Sequence, residues 1–219
     1  MESCEKTMSQ KKYIGLDIGS VSVKAVLINE RKEILENHYV RSHGQSVETF
    51  LLVLKDIFNR THIDDIDGIA ITGTGGKFVS ELMNIAFVNE VVAHSTATTT
   101  LYPEVRTIIE IGGEDSKLML IERDSSTQQT KVSDFSMNTM CAAGTGSFLD
   151  QQATRLGVTI EKEFGELALK SKNPPRIAGR CSVFAKTDMI HLQQEGTPVH
   201  DIVAGLCYAM ARNFKSNIG

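Results

Sequence analysis

The chain lacks a CxxC pair among its four cysteines, an apolar run long enough to cross a bilayer, and any surplus of positive charge. Each absence removes a class of function. Without CxxC, a self-contained zinc or ferredoxin-type site in one chain is not expected. A membrane helix needs roughly 20 consecutive apolar residues, and no stretch reaches that. The net charge of −4 argues against a general nucleic-acid binder, which needs clustered Lys and Arg to neutralise phosphates. The N-terminal stretch Met1–Lys12 is polar and has no apolar signal core, so the expected compartment is the cytoplasm. There Cys4, Cys141, Cys181 and Cys207 are not expected to form a disulfide framework.

What is present is an ordinary globular composition: 219 residues, 41% hydrophobic and 23% charged. That length suits one large domain or two small ones. Residues 13–19 read as a buried strand ending in a Gly turn, and 21–29 alternate at period two as a half-buried strand should. A third strand covers 33–41. Val47, Phe50, Leu51, Leu54 and Phe58 recur at helical spacing over 46–60, with Ser46 as the expected N-cap. Strand 66–72, helix 76–85, strand 88–92 and helix 94–102 follow. A second cycle has strands at 107–111, 117–122 and 131–138, with a polar loop at 124–129. Helices are then expected at 146–156, 164–171, 183–194 and 199–217, punctuated by Pro174-Pro175 and Gly196-Thr197-Pro198. Two hairpin-plus-crossover halves argue for an α/β fold with two related subdomains.

The two cycles share one device. Asp17-Ile18-Gly19-Ser20-Val21-Ser22-Val23-Lys24 is a strand, a tight turn and a strand, with hydroxyls and amides at the tip. Glycine lets backbone N–H groups approach an anion closely because no Cβ intervenes. Ser20 and Ser22 offer hydroxyls, Lys24 a positive charge, and Asp17 a carboxylate for water-bound Mg²⁺. Taken alone, the segment reads equally as a hairpin with a capping Asp. About 95 residues on, Glu110-Ile111-Gly112-Gly113-Glu114-Asp115 repeats the arrangement, and two copies suit the phosphates of one nucleotide. Glu110 or Asp115 is then placed to position Mg²⁺ or an attacking water. Thr72-Gly73-Thr74-Gly75-Gly76-Lys77 is not a P-loop, because Phe78 follows the Lys and the Gly spacing is too short. The six histidines show no common ligand spacing.

Asn138-Thr139-Met140-Cys141-Ala142-Ala143-Gly144-Thr145-Gly146 puts a cysteine on a Gly-rich turn before a helix. Arg180-Cys181-Ser182-Val183-Phe184-Ala185 does so again, and a helix N-terminus favours a thiolate. Two thiolates are half of a Cys₄ set, which a twofold dimer would complete around a [4Fe–4S] cluster. Two structural thiols at helix starts are the other reading of the same spacing.

Together with Asp17-Ile-Gly-Ser and Glu110-Ile-Gly-Gly-Glu-Asp, these segments resemble the ATPase activators of 2-hydroxyacyl-CoA dehydratases and the related benzoyl-CoA reductase ATPase subunits. The likeness runs from about Tyr13 to the end of the chain, and the sequence looks in particular like the N-terminal module of the long CoA-substrate-specific activases. It implies an actin-like (ribonuclease H-like) ATPase fold, with a disordered tail over 1–12 and subdomains over 13–105 and 106–219. It also implies ATP and Mg²⁺ as cofactors. Gly19, Ser20, Val21, Ser22, Val23, Lys24, Gly112, Gly113 and Glu114 then become nucleotide contacts, and Asp17, Glu110 and Asp115 the catalytic acids. Cys141 and Cys181 become ligands of a [4Fe–4S] cluster shared by a homodimer. In such a family ATP rearranges the cluster-bearing helices and drives a low-potential electron into a dehydratase or reductase, with ferredoxin or flavodoxin as donor. The resemblance further implies a second subdomain incomplete at its C-terminal side, since the family's later Gly-Gly adenosine segment has no counterpart after Gly196. Nucleotide binding that is weak or absent is therefore the expectation, which tight ATP binding in a calorimeter would contradict. A sugar or acyl kinase would share both hairpins but has no use for two cysteines at helix starts. A non-catalytic nucleotide-binding regulator predicts no cluster.

Overall fold

A computed structural model describes residues 11–124, 126, 130–138, 144–179 and 181–218. The expected tail over 1–12 falls outside the described residues through residue 10. Lys12 opens the first strand and its ammonium bonds Asp65 at 3.2 Å. The contacts divide the chain into two units, Met1–Thr96 and Ala97–Gly219.

The first unit is a five-stranded sheet in the order β3-β2-β1-β4-β5. Its strands are β1 (Lys12–Ile18), β2 (Ser22–Asn29), β3 (Ile34–Arg41), β4 (Ile66–Thr72) and β5 (Ala86–Phe87). β1, β2 and β3 form an antiparallel meander, while β4 runs parallel to β1 and β5 parallel to β4. Period two buries Ile14, Leu16 and Ile18 of β1 beside Val23, Ala25 and Leu27 of β2. Helix α1 (Ser46–Phe58) covers this face with Phe50, Val53, Leu54 and Ile57. Each such fully buried side chain stabilises by about 1.5–3 kcal/mol. The buried stripe is rotated from the expected one: Val47 and Leu51 face solvent.

Two further expectations shift. The Val-rich stretch 88–92 is not a strand. β5 ends at Phe87, and α3 (Glu90–Leu101) starts early because the Asn89 side chain accepts from the Val91 amide at 2.9 Å. Ser46 is not an N-cap, since Gln45 holds that position and the Ser46 hydroxyl is used elsewhere. α2 (Gly76–Met83) follows β4.

The second unit carries an antiparallel sheet β6-β7-β8, formed by Thr107–Ile111, Ser116–Arg123 and Thr130–Asn138. Its helices are α4 (Gly146–Leu156), α5 (Gly165–Lys170), α6 (Ser182–Gln194) and α7 (Val199–Asn217). Phe148, Ile177, Met189, Ile202 and Leu206 make up its helical core. Asp201 of α7 staples the segment after α5, accepting from the Ser171 hydroxyl at 2.5 Å and the Asn173 amide at 3.3 Å. The Ser171 hydroxyl holds the Asp201 carboxyl below its ordinary range, against the opposing effect of burial. A depressed folded pKa stabilises above the unfolded pKa and is lost as pH falls through the folded one. Thermal melts should therefore show Asp201→Asn destabilised at neutral pH, with the gap to wild type closing as the pH falls below the ordinary aspartate range. A gap of constant size would mean the carboxylate charge plays no part.

Candidate functional site

The two hairpin tips are built alike. In the first, the Gly19 amide donates to the Ser22 carbonyl at 3.0 Å; in the second, Gly112 donates to Asp115 at 2.9 Å. The acid of each strand pairs across the hairpin with a lysine seven positions later. Lys24 Nζ lies 2.7 Å from Asp17 Oδ2, and Lys117 Nζ lies 2.8 Å from Glu110 Oε2. Lys117 also bonds Asp115 Oδ1 at 2.8 Å and is only 3% exposed. Lys117 was missed as a site residue in the sequence. The repeated acid-to-lysine spacing was the signal that would have found it.

In both hairpins the carbonyl edge is committed to neighbouring protein. The Ser46 hydroxyl donates to the Gly19 carbonyl at 3.0 Å and the Ser42 hydroxyl to Ser20 at 2.8 Å. The Ser42 amide donates to Val21 at 2.9 Å. In the second hairpin the Gly112 and Gly113 carbonyls accept from the first amides of α4, Gly146 at 2.7 Å and Ser147 at 2.9 Å. A trans peptide points its N–H opposite to its C=O. With those carbonyls turned inward, the amides of Ser20 and Val21, and of Gly113 and Glu114, turn away from their supports. Successive amides aimed outward from a turn make an anion-binding concavity. At Gly112 a Cβ would lie 2.7 Å from Asp115 Oδ1 and 3.0 Å from Glu110 Oε1, so any side chain there would displace these acids.

The remaining first-hairpin residues divide between site and scaffold. Val23 is fully buried in the core, and Ser22 is buried at 5% exposure, so these side chains belong to the sheet. Asp17 is confined on its other side by the turn after β4. There Gly73 adopts φ +94°, and a Cβ would sit 2.6 Å from Asp17 Oδ1 and 2.5 Å from the Ile18 carbonyl. Gly73→Ala should destabilise the first unit by roughly 1–3 kcal/mol in urea unfolding, since both the backbone region and the space are closed to it. Beside Asp17 in register, the Thr72 hydroxyl is buried with no partner among the described residues.

Of the thiols, Cys181 is the N-cap of α6, at the helix start where its motif put it, and is free and partly exposed. Cys141, Cys4 and Arg180 lie outside the described residues. So do Ala142 and Ala143, while Gly144 and Thr145 are described and α4 begins at Gly146, with Thr145 as its N-cap. Cys207 packs against the helical core, and burial pushes its thiol pKa up. His38 joins Glu36, Asp56 and Arg60 in a charged network, where the Arg60 guanidinium bonds both carboxylates. Among the described residues no helix is long and apolar enough to cross a membrane.

A meander plus parallel crossover, with a glycine-tipped hairpin in each unit, is the fold of the actin-like ATPases. The chain belongs to the BadF/BadG/BcrA/BcrD ATPase family, whose model matches residues 14–218. It is 32% identical over 205 residues to the 2-hydroxyisocaproyl-CoA dehydratase activator of Clostridioides difficile, covering 93% of this chain and 74% of that protein. Among solved structures it is similar to (R)-2-hydroxyglutaryl-CoA dehydratase component A of Acidaminococcus fermentans. There the TM-score is 0.82 at 29% identity, over 94% of this chain and 77% of the other. It is also similar to the activator of the 2-hydroxyisocaproyl-CoA dehydratase from Clostridium difficile with bound ADPNP. That match has a TM-score of 0.81 at 31% identity, over 94% and 74% of the two chains.

Proposed function

We propose that this chain is an ATP-hydrolysing activator of a 2-hydroxyacyl-CoA dehydratase or a related CoA-ester reductase, acting as a homodimer that delivers a low-potential electron. The observation that carries the nucleotide half is the pair of hairpins whose carbonyls are tied inward and whose amides at Ser20, Val21, Gly113 and Glu114 turn out. Those amides bind phosphate oxygens without a charged side chain having to be moved. Lys24 and Lys117 hold Asp17, Glu110 and Asp115 in place while leaving Asp17 Oδ1, Glu110 Oε1 and Asp115 Oδ2 outside the lysine bonds. These are hard oxygens of the kind Mg²⁺ reaches through its retained waters. Glu110 and Asp115 orient the attacking water and accept its proton.

The redox half rests on Cys181, a partly exposed thiol at a helix N-terminus, together with the family to which the chain belongs. With Cys141 it would hold one half of a [4Fe–4S] cluster, the second half coming from another copy. Such a cluster supplies a one-electron store at low potential. Cys207, half-buried in the helical core, is not a ligand. Ferredoxin or flavodoxin is the matching donor class, and the cytoplasm the matching compartment.

The test is anaerobic reconstitution with iron and sulfide, followed by iron counting per dimer, ATP turnover, and activation of a purified 2-hydroxyacyl-CoA dehydratase. About four irons per dimer, a band near about 400 nm and ATP-dependent activation are expected. A colourless protein that phosphorylates a small molecule would instead identify a kinase.

A further inference from the structure

The turn Thr72-Gly73-Thr74-Gly75-Gly76 is stapled to the end of β1, where the Gly75 amide donates to the Ile18 carbonyl at 2.8 Å. At the head of this turn Thr72 pairs in register with Asp17, and Asp17 pairs on its other side with Lys24. Paired residues on neighbouring strands, about 4.8 Å apart, point to the same face of a sheet. Lys24, Asp17 and Thr72 therefore stand in one row across β2, β1 and β4. Their face is opposite the one on which Leu16, Ile18 and Ile71 enter the core.

Within the row the hydrogen bonding is one-sided. Asp17 Oδ2 takes the Lys24 ammonium at 2.7 Å. Asp17 Oδ1 lies against the turn, where a Cβ on Gly73 would be 2.6 Å from it. The Thr72 hydroxyl is buried and bonds nothing among the described residues. A buried hydroxyl without a partner costs its desolvation, so for the bare fold a valine of the same shape would serve better. The row also borders a cavity of about 260 Å³, kept open by the small residues Gly15, Ala70 and Ala93. Among the described residues around it, only Lys24, Asp17 and Thr72 bring polar side chains. A water occupies about 30 Å³ and needs two to four polar partners, so the cavity has room for water but supports it only beside this row. One χ1 step exchanges the staggered positions of a threonine's hydroxyl and methyl, which lets Oγ1 turn toward the cavity without backbone movement.

We infer that Thr72 is a positioning residue of the first hairpin: its hydroxyl oxygen and Asp17 Oδ1 together accept the two protons of one water on the hydrated cation that accompanies the phosphates. The inference rests on the nucleotide reading given under Proposed function. A water bound to a cation through its oxygen has only its two hydrogens left to give. Asp17 Oδ1 takes one, and the lone pairs of the Thr72 hydroxyl suit the other. Lys24 stays on Oδ2 throughout.

The test measures metal and nucleotide binding by the full chain, with Mn²⁺ in place of Mg²⁺ and free Mn²⁺ read by EPR. Groups that orient metal ligands without touching the metal change affinity by about 10–100-fold. With ADPNP present, Thr72→Val should therefore weaken Mn²⁺ binding about tenfold or more, while Thr72→Ser stays within about twofold of wild type. ADPNP binding without metal should match wild type in both variants. The ligand-free Thr72→Val protein should melt at or above the wild-type temperature, because a methyl group replaces an unpartnered buried hydroxyl. If Thr72→Val does not fold, Thr72→Ala makes the same comparison against Thr72→Ser. Unchanged Mn²⁺ binding in a folded variant without the hydroxyl would overturn the positioning role, whatever its melting temperature. A wild-type chain that binds no ADPNP, with or without Mn²⁺, would overturn the nucleotide reading itself, a separate outcome.

Discussion

Cys181→Ser is expected to lower the iron retained by the reconstituted dimer by about tenfold or more and to abolish activation of the dehydratase, with ADPNP binding intact. The substitution changes one atom at the N-cap of α6. A serine hydroxyl is a hard, weakly acidic ligand, whereas iron–sulfur clusters are held by soft thiolates. Serine is also a better N-cap than cysteine, so α6 should lose no stability and its melt should stay level or rise. That split matters. A variant that lost iron and stability together would point to a structural thiol, and one that kept full iron would remove Cys181 from the cluster.

Lys117→Ala should be the most damaging single change in the second hairpin. The ammonium is almost completely buried and bonds two carboxylates, Glu110 at 17% and Asp115 at 25% side-chain exposure. Removing it leaves two partly desolvated negative charges 2.8 Å from an empty place. Breaking a buried ion pair by deleting one partner costs about 3–5 kcal/mol, and the residual exposure of the acids puts this case near about 3 kcal/mol. Urea unfolding of the iron-free protein measures that loss. ATP turnover should fall further than stability explains, because the two acids would repel both each other and the phosphates. Turnover within about twofold of wild type in the folded variant would exclude these acids from the reaction.

Much of the architecture was legible because its causes are local. Alternation in Ile14, Leu16 and Ile18, and again in Val23, Ala25 and Leu27, is enough to mark β1 and β2 and the face they bury. The glycine turns announce themselves for the same reason. What stayed hidden depends on partners distant in sequence. The α1 stripe was misplaced because its register is set by the sheet it covers, which buries Val53 and Ile57 rather than Val47 and Leu51. Ser46 looks like a cap in isolation, but its hydroxyl reaches back 27 residues to Gly19. At 88–92 a β-prone valine run was overruled by a single side-chain cap at Asn89. Thr72 reads in the sequence only as the start of a glycine turn; the parallel pairing of β4 with β1 is what sets it beside Asp17.

The bonds from Gly146 and Ser147 to the turn at Gly112 and Gly113 have one more implication. The Gly112 carbonyl and the Gly113 N–H belong to a single peptide plane, as do the Gly113 carbonyl and the Glu114 N–H. An anion resting on the N–H rim polarises each plane and makes its oxygen a stronger acceptor for the helix behind. Deuterium uptake at two amides of α4 therefore doubles as a gauge of whether the glycine turn is filled, slowing when it is and quickening when it empties.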